Sequence, residues 1–372
     1  MDNSNFTSDT LFKIYDDTPT ETDPFCNYTE YDNFNESYSE VIPTFFFRDK
    51  KCSNKPSSYE KKKLRYFYNI TGLLLSAKFI IEISIFLLFS IITFLISFSF
   101  TSSLSLYYSS FSDYTIQYSF KTISLIISTL SVFFAGCRYS SLKPADLIKS
   151  KVKLKTEDVI IFFMAALFVI SIQNICNMSF SYLTGDYNSY GLHLKKDILH
   201  IVSAAIYTCI VIPVSDGLIF RGIMLKNLSR VSQHFGIIMT SILCALSTVR
   251  FQNIIPAFLL SLLMAKLTVK CNSVTPSIII NIITNISSMI ISVYGIYAWN
   301  SDTTITKLWT AITFITGGFF AAVSILKYPL PKSNKLQKKR TLPLFLTSVF
   351  ILLIFILYIT AASANLLKSL YL

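Results

Sequence analysis

Pro213-Val-Ser-Asp-Gly-Leu-Ile-Phe-Arg-Gly222 closes an apolar run that begins near Ile198. The stretch sets Asp216 and Arg221 at the end of a segment long enough to enter a bilayer. Charge at membrane depth is costly and marks a site, a partner or a helix end. Taken alone, the stretch reads as a helix stop near the membrane edge, with Arg221 meeting lipid phosphates. What gives it more weight is a pair of polar interruptions downstream, Ser247-Thr248 and Asn281 with Asn285.

The rest of the chain fixes the class. Of 372 residues, 52% are hydrophobic and only 15% charged, and the mean hydropathy is +0.53. A soluble chain of this length carries about a quarter charged residues. Apolar stretches recur near the length that crosses a hydrocarbon core, and they are continuous rather than alternating, which argues against a β-barrel. The expected fold is all-α, a polytopic transmembrane bundle of about eight or nine spans. We place nine, at 79–100, 116–137, 159–182, 198–214, 235–249, 254–269, 276–299, 308–326 and 342–359.

Residues 1–58 read as a disordered acidic tail without a signal peptide, holding roughly ten of the 21 acids. Residues 59–300 form the membrane bundle and 301–372 contribute two further helices. The net charge of +12 is not a nucleic-acid signal, because the bases cluster beside apolar spans, where they meet lipid headgroups. Lys61 to Arg65 precede the first span, and Arg138 to Lys155, Arg221 to Arg230, Lys266 with Lys270, and Lys327 to Arg340 follow on alternate turns. One side thus collects roughly 22 bases against about five, so the N-terminus is predicted cytoplasmic in a multi-pass cell-membrane protein. Lys78 and Glu82, four apart at the start of the first span, read as a surface pair. Gln173, Asn174 and Asn177 read as polar contacts between helices.

The seven cysteines are scattered and none of the three histidines lies within four residues of another, so no metal and no cofactor is expected. Asn281 and Asn285 share one helix face. With Asp216 and Ser247-Thr248 they form three polar sites in order, about thirty residues apart.

That order resembles the CAAX-processing intramembrane protease family (CPBP, or ABI, proteins). Asp216 to Gly222 is similar to its first motif, Glu-Glu-x-x-Phe-Arg-Gly. Cys244 to Thr248 falls where its Phe-x-x-x-His stands, and Asn281 to Asn285 where its His-x-x-x-Asn stands. The resemblance covers about 155–300. It implies that Asp216, Thr248, Asn281 and Asn285 occupy catalytic positions, with Arg221, Gly217 and Ser247 beside them. In the family, the Glu pair and first His activate water, while the second His and the Asn hold the oxyanion. Here the second Glu is Gly217, the first His is Thr248 and the second His is Asn281. An Asp is a poor base near neutral pH compared with His, and loss of a general base removes a factor of about 10²–10⁴ in rate. His200 and His234 stand roughly 24 and 20 Å along a helix from the positions they would have to serve.

The resemblance therefore implies a degenerate relative with reduced or absent peptidase activity. Its polar pocket, opening towards the cytoplasm, would bind a peptide, a lipidated C-terminus or another membrane protein in a scaffold, maturation or bacteriocin-immunity role. Membrane lipids are the other expected partners. Two alternatives stand beside it. One is an active peptidase using Asp216 with an oxyanion hole from Asn281 and Asn285. The other is a transporter or channel, which requires a water-filled path across the membrane.

Overall fold

A computed structural model describes residues 58–101, 114–149, 155–184, 197–230, 232–298, 304–329 and 342–371. The acidic tail, up to residue 57, lies outside the described residues. Within them the chain is helical, and no strand occurs. The main helices are α1 (Ser58–Thr101), α2 (Tyr114–Tyr139), α3 (Thr156–Thr184), α4 (Ile198–Ser229), α5 (Gln233–Ser247), α6 (Ile254–Cys271), α7 (Thr275–Ala298), α8 (Thr304–Lys327) and α9 (Val349–Tyr371). Seven of them are long and apolar enough to cross a membrane; α5 and the Val349–Asn365 part of α9 form shorter apolar helices.

Two helices exceed their expected bounds in ways that bear on the site. α1 begins at Ser58 rather than near Phe79. Its first turns look polar in sequence, yet Leu64, Phe67, Tyr68, Leu74 and Leu75 are buried against the other helices. α4 does not stop at Val214 but runs to Ser229. Asp216 therefore stands thirteen residues inside the helix end, about 20 Å at 1.5 Å per residue. Arg221 is 2% exposed. The helix-stop reading is thus corrected: this Arg packs inside the protein.

α4 is also irregular, with π-helical turns over Ile206–Val211 and Gly217–Met224. Such turns inside α-helices are frequent at functional sites. The first has a visible cause in Pro213. Ile212 N–H bonds to Tyr207 O, five residues back. In that register Thr208 O would next receive the N–H of residue 213, and proline has none.

Packing is closest where helices meet at glycine. A Cβ on Gly72 of α1 would stand 2.6 Å from the α9 backbone at Phe350, and one on Gly317 of α8 2.7 Å from Met164 O of α3. Small residues at such crossings let backbones approach in apolar surroundings. The largest buried cluster joins α1, α2, α4, α5 and α9. In it Tyr68, Phe235 and Phe345 pack ring to ring at 5.2–6.0 Å. A second cluster joins Phe162 and Ala166 of α3 to Met264, Leu267 and Ile280.

One end of the bundle gathers the basic turns. Asn227 Nδ2 donates to Ser140 Oγ at 2.7 Å, Arg230 Nη2 to Ser140 O at 2.7 Å, and Lys226 Nζ to Asn272 Oδ1 at 3.1 Å. Asp158 at the start of α3 takes Lys270, Tyr328 and Lys327, the last at 3.1 Å. The turns that alternate in charge along the sequence thus share one face in space. Asn174 Nδ2 reaches Thr310 Oγ1 of α8 at 3.4 Å, a contact between helices as expected.

Candidate functional site

The two faces of α4 divide the expected site residues between them. On the α7 face, Gly217 meets Ile278: a Cβ there would stand 2.2 Å from Ile278 Cγ1. An acid at this position would have to displace the ethyl arm of a packed isoleucine. Further along, Asn285 Nδ2 donates to Thr208 O at 3.2 Å. This is the carbonyl that Pro213 leaves without its donor. Asn285 thus closes a backbone gap, which accounts for an amide at this position without chemistry. Asn281 is 4% exposed, and its Oδ1 finds no partner among the described residues.

On the other face stand α1, α2, α5 and α9. Ser215 is hydrogen-bonded to Thr129 of α2 at 2.7 Å, which fixes the rotation of α4 beside Asp216. Asp216 itself is half-buried and interacts electrostatically with Lys78 of α1 and with Arg221. Cys244 of α5 feels the same three charges. Arg221 is enclosed, with Nε and Nη1 lacking hydrogen-bond partners among the described residues. α5 ends with Ser247 and Thr248, whose hydroxyls donate back to Cys244 O at 2.7 Å and Ala245 O at 2.8 Å. α5 starts beside the end of α4 and runs back along it, so its last turn comes level with Asp216.

Between these helices lies a cavity of about 240 Å³, lined by Lys78, Glu82 and Phe86 of α1, Lys121 and Ser124 of α2, Tyr207 of α4, Ser247, Val249 and Tyr358. Val249 closes it with φ at 56°, in the left-handed region that β-branched residues rarely enter. Asn365 Nδ2 holds that turn through Val249 O at 3.2 Å. The cavity sits at the far end of α5, away from the basic turns. None of Asp216, Arg221, Asn281 and Asn285, expected to form the pocket, is among its lining residues.

Lys78 and Glu82 are not the surface pair expected from sequence. Lys78 is 8% exposed, with Nζ lying 5.7 Å from the centroid of the Phe220 ring. An apolar span beginning at Phe79, as the sequence suggests, would set it at a membrane edge. With the true start at Ser58, Lys78 stands about 30 Å along the helix. The signal available was the amphipathic run from Leu64 to Leu75.

Among the described residues, none of Asp216, Thr248, Asn281 and Asn285 hydrogen-bonds another. Asp216 and Ser247 belong to the cavity side, whereas Gly217 and Asn285 belong to the α7 seam. No cluster of three or more His, Cys, Asp or Glu with metal-binding geometry occurs among the described residues.

Fold and site together define a polytopic all-α integral membrane protein with a polar centre built on an irregular helix. The family model described as type II CAAX prenyl endopeptidase Rce1-like matches residues 198–287, from the start of α4 to beyond Asn285. The resemblance read from the three motifs agrees with this match. No curated protein and no solved structure matches the chain.

Proposed function

We propose that this CAAX-protease-like membrane protein binds a peptide segment or a membrane helix at its embedded polar site. It cleaves that partner far more slowly than a complete Glu-Glu-His-His-Asn set would allow. The role is that of a scaffold, a maturation factor or an immunity-like protein of a cell membrane, with its N-terminus in the cytoplasm. The observation that carries this reading is the contact of Gly217 with Ile278, since helix packing fills the position where the family keeps its second acid. Thr248 at the first His position points the same way, its hydroxyl being bound to its own helix.

Binding is tested with the full chain in liposomes and a farnesylated C-terminal peptide carrying a photoreactive group. Cross-links at Phe86 and Val249, both in the cavity wall, are expected. Labelling confined to lipid-exposed positions such as Ile91 or Leu326 would remove the basis for the proposal.

A further inference from the structure

The family positions leave this chain a single acid, Asp216, but the cavity brings a second one from a helix outside the matched segment. Lys78 and Glu82 are four residues apart on α1, so they project from one face, and both line the cavity. Glu82 interacts electrostatically with Lys78 and with Asp216. Lys78 is buried to 8% exposure and makes no hydrogen bond among the described residues. Its ammonium rests against Phe220, at the centre of the Phe-Arg-Gly motif. A lysine at membrane depth whose ammonium faces a cavity is costly to keep there, and such groups serve a pathway, a ligand or a reaction. Tyr207, Tyr358 and Ser247 also line the cavity.

We infer that this cavity is the reaction centre for the slow peptidase chemistry, with Glu82 as general base and Lys78 as the group that receives charge on the carbonyl oxygen. The step is a hydrolysis. Glu82 takes a proton from water as the water oxygen bonds to the scissile carbonyl carbon, and the carbonyl electron pair moves onto its oxygen beside Lys78. When that pair returns, the C–N bond breaks and the proton on Glu82 passes to the leaving amine. Asp216 acts through Lys78, holding the ammonium in place, and is a positioning residue here. The inference rests on the peptide-binding reading and goes beyond it by assigning the chemistry to α1 rather than to the asparagines of α7.

The test uses the full chain in liposomes with the same farnesylated peptide, following both cleavage and photo-cross-linking. Slow cleavage by the wild type is expected. Glu82→Gln, nearly isosteric, is expected to lower it by about 10²–10⁴-fold, the usual contribution of a general base, while cross-linking stays unchanged. Glu82→Asp, which keeps the carboxylate, should retain part of the rate. Absence of cleavage by the wild type, or wild-type cleavage by Glu82→Gln, overturns the assignment. Cross-linking without cleavage leaves the binding proposal standing and removes only the role of Glu82. Absence of both removes the two together.

Discussion

Towards α7, helix α4 uses its polar and small positions for packing: Gly217 admits Ile278, and Thr208 O takes the amide of Asn285. Towards α1 and α5, the same helix faces a cavity with Lys78, Glu82 and Ser247 in its wall and Asp216 within their field. The family's third motif thus falls on the face where every hydrogen bond seen has a structural cause. The cavity, by contrast, holds charge that packing does not require. A motif position therefore says where a helix stands, while the function of its side chain depends on which neighbour that helix turns to.

The sharpest way to break this contrast is at Gly217. Gly217→Ala places a Cβ where Ile278 already stands and should destabilise the protein by about 2–3 kcal/mol, the upper range for overpacking. Denaturation in detergent reads this directly. Ile278→Ala in the same chain should restore most of the loss, because the two changes share one contact. If Gly217→Ala is neutral, the α4–α7 seam is looser than it looks, and position 217 is open to an acid after all.

Much of the architecture can be read in the sequence. Among the described residues, the nine apolar segments fall on the nine main helices in order, seven of them long and apolar enough to cross a membrane, because lipid demands long uninterrupted hydrophobic runs. What escaped were the polar extensions of α1 and α4. Lys61 to Arg65 and Asp216 to Asn227 depress hydropathy in segments whose helices nonetheless continue. Protein neighbours, rather than lipid, cover Tyr68, Arg221 and Asn227. The site was half legible for the same reason. Motif spacing brings out Asp216 and the asparagines, whereas nothing local to Lys78 and Glu82 tells which helix their face meets.

Asn285 offers a smaller effect with a sign that is harder to mimic. Asn285→Ala removes the donor to Thr208 O and should cost about 1–2 kcal/mol, the range for a buried carbonyl left unpaired in a membrane bundle. Replacing Pro213 by Ala supplies a backbone N–H in the register where Thr208 O lacks one. Pro213→Ala should therefore offset the loss when combined with Asn285→Ala, so that the double mutant is more stable than the sum of the single changes predicts. A purely additive pair would mean that the amide is not replacing the proline's missing donor, and an oxyanion role for Asn285 would regain its standing.

The smallest effect is expected at Thr248, and its smallness is informative. Its hydroxyl donates to Ala245 O within its own helix, and its neighbour Ser247, not Thr248, lines the cavity. Hydroxyls bonded back in this way add little to helix stability and can even weaken it. Thr248→Ala should change unfolding free energy by less than about 0.5 kcal/mol, and it should leave peptide cross-linking at Phe86 and Val249 as in the wild type. Ser247→Leu, one position earlier, places bulk in the cavity wall and should reduce that cross-linking while Thr248→Ala does not. If both changes reduced it alike, Thr248 would belong to the binding surface. The family's first His position would then be part of the working site, and the division between the two faces of α4 would have to be redrawn around the last turn of α5.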